Sequence, residues 1–143
     1  MDKIADYLYV SRQLNERSAK QAAQFYDIKT VICNRPDSEE EGQPDFETVK
    51  QWLETAGVEN IVYLPVTADT ITDEQLREFQ ETIAQSPAPI LAYCRSGTRS
   101  ALMWALNQAK RGVEVNSLLR AADLAGIDLT PMREKLQQAY DKR

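Results

Sequence analysis

Three short apolar runs set the strongest limit on what this chain can fold into: Thr30-Val31-Ile32-Cys33, Ile61-Val62-Tyr63-Leu64 and Ile90-Leu91-Ala92-Tyr93. Each has few polar interruptions, the pattern of a strand covered on both faces. Amphipathic stretches separate them. Residues 16–26 carry Ala19, Ala22, Ala23 and Tyr26 at three-and-four spacing, and residues 45–55 place Phe46, Val49, Trp52 and Leu53 on one stripe. Residues 73–84 follow the capping box Thr72-Asp73-Glu74-Gln75 and align Leu76, Phe79 and Ile83. A further strand is expected at Tyr7-Leu8-Tyr9-Val10. After residue 99 the pattern is wholly helical: one helix through Ala101, Leu102, Ala105 and Leu106 to Gly112, a second through Val115, Leu118, Leu119 and Ala122 to Gly126, and a third opened by Thr130-Pro131. The expected fold class is α/β: three layers, with a mostly parallel central sheet flanked by helices and a helical C-terminal part. With 143 residues and no long linker, residues 1–143 read as a single domain. The acidic segment Pro36-Asp37-Ser38-Glu39-Glu40-Glu41-Gly42-Gln43-Pro44 reads as an exposed, solvated loop.

Composition removes whole classes of chemistry. The chain has no histidine, which excludes Ser-His-Asp triads, Cys-His dyads and His-bearing zinc sites. Its two cysteines, Cys33 and Cys94, are too few for a four-thiolate zinc site. They are either buried filler or a thiolate activated by something other than histidine. A net charge of −5 argues against nucleic-acid binding. No run is long enough to cross a bilayer and no signal-peptide pattern opens the chain, so the expected location is cytoplasmic, with no membrane partner.

The segment Cys94-Arg95-Ser96-Gly97-Thr98-Arg99-Ser100 joins a strand to a helix. Such a junction aims several backbone N–H groups at one point. Gly97 permits positive φ or close approach to a ligand, and Arg99 adds a planar fork of donors for an oxyanion. The resulting positive field favours the Cys94 thiolate, which substitutes for the missing histidine. The plainer alternative is a buried cysteine beside an ordinary helix cap.

Cys94 through Ser100 resembles the active loop shared by rhodaneses and the cysteine-dependent phosphatases. The wider chain is similar to a bacterial phosphatase-like family often labelled sulfur transferase, also met fused to metallo-β-lactamase-like hydrolases. The similarity runs through Tyr7-Leu8-Tyr9-Val10-Ser11, Ile28-Lys29-Thr30-Val31-Ile32, Asn34-Arg35-Pro36 and Pro65-Val66-Thr67-Ala68 to the loop. The resemblance implies a cysteine-phosphatase-like fold, a small anionic substrate, and a metallo-β-lactamase-like hydrolase as a partner. It implies no cofactor and no metal. Some related phosphatases protect an oxidised catalytic cysteine with a neighbouring thiol, which extends that option to Cys33; the residue pattern itself favours buried filler.

Two features point to different reactions. The helical tail resembles dual-specificity phosphatases and departs from rhodaneses, which carry a further strand after the active loop. Loop length points the other way: only Arg95, Ser96, Gly97 and Thr98 separate Cys94 from Arg99, as in rhodaneses, whereas phosphatases of this type place five residues there. The shorter loop should crowd a tetrahedral phosphate and suit sulfur transfer. The expected function is therefore a sulfurtransferase that moves a sulfane sulfur through a Cys94 persulfide. A phosphatase working through phosphocysteine is the alternative. The backbone amides of Arg95, Ser96, Gly97 and Thr98 would bind the anion and Arg99 would anchor it. Ser100 would cap the following helix or donate to the Cys94 sulfur. Asp69 lies where dual-specificity phosphatases keep their general acid, although a solvated loop aspartate is the commoner explanation. Arg35 follows a strand at the sheet edge where ligands bind, and either adds to the positive field or pairs with the acidic run Asp37–Glu41.

Overall fold

The computed structural model describes residues 1–143. Its elements are β1 (Asp2–Ala5), β2 (Leu8–Ser11), α1 (Glu16–Gln24), β3 (Thr30–Cys33), α2 (Phe46–Thr55), β4 (Asn60–Tyr63), α3 (Asp73–Gln85), β5 (Ile90–Tyr93), α4 (Thr98–Lys110), α5 (Val115–Leu124) and α6 (Arg133–Asp141). The five strands form one sheet in the order β1-β2-β5-β3-β4. The pairs β2–β5, β5–β3 and β3–β4 are parallel, and β1 closes the edge antiparallel to β2.

Side chains alternate across this sheet and divide the core in two. Val10, Ile32, Ile90 and Ala92 face one layer, where they meet Phe79 of α3, Leu102 and Ala105 of α4, Leu118 of α5 and Leu136 of α6. Val31, Cys33, Leu91 and Tyr93 face the other, against Ala19 and Ala22 of α1 and Val49 and Leu53 of α2. Because α4 is enclosed by the sheet and by α3, α5 and α6, residues Ser100 to Asn107 are all buried. A helix apolar around its whole circumference is what such a central position requires.

The expected α/β class, the parallel sheet and the helical tail are all present. Strand β1 was not expected. Of Asp2-Lys3-Ile4-Ala5 only Ile4 is buried, so the segment carries too little apolar signal to mark an edge strand. The third C-terminal helix also begins differently: Thr130–Met132 forms a 3-10 turn with the proline near its start, and the α-helix follows from Arg133.

Candidate active site

The carboxyl ends of β2, β3, β4 and β5 bring Ser11–Gln13, Asn34–Arg35, Leu64–Val66 and Cys94 to one edge of the sheet. Cys94 follows β5 directly, and its N–H donates to the Ser11 carbonyl at 3.3 Å. The loop then turns at Gly97, whose φ of 94° is left-handed. A Cβ there would lie 3.1 Å from Ile127 Cδ1 and 3.4 Å from the Ser11 carbonyl carbon, so both conformation and space demand glycine. This turn aims the Gly97 N–H at the Cys94 sulfur, 3.1 Å away. The N–H groups of Arg95, Ser96, Arg99 and Ser100 have no acceptor within the protein, so they remain open for an anion. Ser96 and Thr98 are joined by a hydroxyl contact of 3.1 Å.

Arg99 sits in the first turn of α4 and reaches back across the sheet edge. Its Nη1 donates to Glu39 Oε2 at 2.7 Å and to the Val66 carbonyl at 3.0 Å, and its Nη2 donates to Glu39 Oε1 at 2.8 Å. The hydrogen bond from Arg99 holds the Glu39 carboxyl down at about 2, with burial opposing and Arg35 assisting. Glu39 in turn raises the Arg99 guanidinium above its ordinary range, and the neighbouring Cys94 sulfur adds in the same direction.

The predicted residues are brought together unevenly. Cys94, Gly97, Thr98, Arg99 and Ser100 form one compact turn. Arg95 and Ser96 are its exposed side. Ser100 takes neither expected role: its hydroxyl is buried and donates to Asn34 Oδ1 at 2.9 Å, while the N-cap of α4 is Gly97 with no side-chain cap. Arg35 is buried, and its guanidinium is engaged by Glu39, Glu40 and Gln13, which favours the pairing reading over a field at an open mouth. Asp69 is exposed and lines a groove of about 380 Å³ with Ile71, Asp73, Leu76, Lys110 and Lys135, a lining to which Cys94 and Arg99 do not contribute. Its loop nevertheless starts at Val66, the residue Arg99 holds, and Lys135 Nζ donates to the Ala68 carbonyl at 2.9 Å.

Cys33 pairs in register with Tyr93 and faces α1 and α2, as filler does. Burial pushes its thiol up to about 11, and the thiol donates to the Arg35 carbonyl at 3.3 Å. Both cysteines are free.

The segment 36–44 is the exposed loop expected of it, with residues 37–42 all exposed, but it is also held by specific hydrogen bonds. Asp37 Oδ1 accepts from the Phe46 N–H at 2.8 Å, Gln43 accepts from the Glu39 N–H at 3.0 Å, and the Tyr63 hydroxyl accepts from the Asp37 N–H at 2.9 Å. These bonds present Glu39 and Glu40 to Arg35, Arg95 and Arg99. The pairing of Arg35 with the acidic run was among the sequence expectations; what sequence reasoning missed was the reach of Glu39 to Arg99 and the parts played by Gln13 and Asn34.

A buried cysteine, a turn with unpaired backbone amides and an arginine five residues on, set at the carboxyl edge of a parallel sheet, are the arrangement of a cysteine-phosphatase-like fold. Residues 1–111 match the family described as beta-lactamase hydrolase-like protein, phosphatase-like domain, and the chain belongs to that family. A crystal structure of a candidate phosphatase from Neisseria meningitidis superposes with a TM-score of 0.93 and 47% identity, covering 96% of both chains. The core catalytic domain of a PP-IP phosphatase from S. cerevisiae shares the fold at a TM-score of 0.72 and 13% identity, over 97% of this chain and 83% of that one. A beta-lactamase hydrolase-like protein of Agrobacterium fabrum is 37% identical over 85 residues, 59% of this chain. The matched region spans about a fifth of the length of that relative (20%). These likenesses support the phosphatase alternative, and the sulfurtransferase expectation finds no support among them. The fold also lacks a strand after the active loop, since every regular element beyond Gly97 is helical. No helix is long and apolar enough to cross a membrane.

Proposed function

We propose that the chain is a phosphoric monoester hydrolase of the cysteine-phosphatase type. Cys94 attacks the phosphorus, the P–O bond to the leaving group breaks, and phosphocysteine forms; water then attacks the phosphorus and releases inorganic phosphate and the thiolate. The observation that carries this reading is the free edge of Arg99. Glu39 and Val66 occupy both Nη1 protons and one on Nη2, which leaves Nε–H and the second Nη2–H as a parallel pair. That pair matches two oxygens of a phosphoryl group, and the open loop amides supply donors for the rest.

In this reading the shortened spacing is taken up at the helix start. Helix α4 begins at Thr98, before the arginine, so Arg99 projects from helical rather than loop backbone. In this reading Asp69 is the general acid, delivered by the loop that starts at Val66. The small anionic substrate is a phosphate monoester, and a hydrolase partner of the metallo-β-lactamase type remains part of the proposal because the family name joins the two. Turnover of an aryl phosphate and of thiosulfate, measured side by side, tests the reading. Aryl phosphate hydrolysis that is lost in Cys94→Ser is expected, and thiosulfate turnover without it would restore sulfur transfer.

A further inference from the structure

Arg35 is a charged side chain only 2% exposed, and the reaction above gives it no contact with substrate. Its donors go to three residues: Nε to Glu39 Oε1, Nη1 to Gln13 Oε1 and Nη2 to Glu40 Oε1, each at 3.0 Å. Each acceptor also touches the Cys94 loop. Glu39 grips Arg99. Glu40 Oε2 lies 3.4 Å from Arg95 Nη2. Gln13 donates its backbone N–H to the Arg95 carbonyl at 3.1 Å.

We propose that Arg35 is a positioning residue for the anion site, a single guanidinium that fixes both ends of the Cys94–Arg99 loop through Glu39, Glu40 and Gln13. The inference rests on the phosphatase reading and names a residue by which that site keeps its shape. The three acceptors are met by three different nitrogens of one planar group, a spread that the compact ammonium of lysine, although it also has three donors, does not reproduce. The backbone at Arg35 is held as well, since its carbonyl accepts from Cys33. Glu39 Oε1 bridges the two guanidinium groups of Arg35 and Arg99, so losing one arginine frees the carboxylate to rotate and release the other.

The test uses the full chain as wild type, Arg35→Gln, Arg35→Lys, Glu39→Gln and the Arg35→Gln/Glu39→Gln pair. Tungstate affinity by calorimetry reads the anion site without turnover, and kcat and KM for an aryl phosphate read the reaction. Arg35→Gln and Glu39→Gln should each weaken tungstate binding about tenfold, the scale of a lost charge-assisted hydrogen bond. The pair should fall short of the product of the two single effects, because Glu39 is one of the three links through which Arg35 acts. Wild-type tungstate affinity in folded Arg35→Gln, with only Tm lowered, would overturn the inference, as would full multiplication of the two effects. Should Arg35→Gln not fold, Arg35→Lys decides: weakened binding supports the inference and unchanged binding overturns it. A wild type that binds tungstate with this Arg35 dependence yet hydrolyses no aryl phosphate would refute the phosphatase reading and leave the positioning role standing. A wild type that binds no tungstate would refute both.

Discussion

Glu39 and Arg99, 60 residues apart in sequence, meet end to end through two hydrogen bonds of 2.7 and 2.8 Å. The carboxylate takes the terminal fork of the guanidinium and leaves its side edge toward the Cys94 loop. In the proposed reaction Glu39 thereby orients Arg99 without occupying the donors that would face the substrate. An oxyanion site gains from donors fixed before the reaction, because no energy is then spent on reorganising them.

Glu39→Gln removes one charge-assisted bond and makes the other ambiguous. We expect kcat/KM for aryl phosphates to fall about ten- to hundred-fold, from the scale of hydrogen bonds to charged groups. Steady-state kinetics checks this; an unchanged kcat/KM in the folded variant would show that Arg99 needs no orienting partner.

The same pair makes a pH prediction. The Glu39 carboxyl is lowered from 4.5 to about 2 in the folded protein, so the folded state prefers its ionised form. Its stabilisation is fully present above the unfolded value near 4.5 and is lost as the pH falls through 2. Thermal melts between those limits should show wild type losing more stability than Glu39→Gln. Parallel curves for the two would contradict the assignment.

Gly97→Ala should damage both fold and reaction. The φ of 94° is costly for any L side chain, and the added Cβ would press on Ile127 and the Ser11 carbonyl. A left-handed residue costs roughly 1–2 kcal/mol, which lowers Tm by about 2–8 °C in a domain of this size. Activity should fall further than stability, because this turn aims the Gly97 N–H at Cys94.

Asp69→Asn separates proton donation from anion binding. With a general acid removed, aryl phosphates bearing poor leaving groups should slow by about a hundredfold or more, and activated aryl esters should change little. A uniform small effect across the series would make Asp69 a groove residue beside Lys110 and Lys135 and nothing more.

Much of this architecture was legible because its signals are local. The apolar runs Thr30–Cys33 and Ile90–Tyr93 are buried throughout, as unbroken hydrophobic runs should be, whereas the third run lies in the edge strand β4 and is only partly covered. The cysteine, glycine and arginine of the active loop lie within six residues, and one turn brings them together. What escaped was long-range and polar. Nothing in the 36–44 segment distinguishes an acidic loop facing water from one facing two arginines until the strand order places β3 beside β5. Ser100 illustrates the same limit: its partner Asn34 is 66 residues away, on a neighbouring strand end. Loop length pointed to sulfur transfer, whereas the helical tail and the phosphatase likenesses favour the alternative.

The most direct measurement is acid quenching of wild-type protein during turnover of an aryl phosphate, followed by mass analysis of the peptide containing Cys94. We predict a phosphoryl adduct on Cys94 that forms within one turnover, is absent in Cys94→Ser, and accumulates when water attack is the slower step. Turnover with no adduct on Cys94, or an added sulfur atom on it after thiosulfate without any aryl phosphate hydrolysis, would contradict the account.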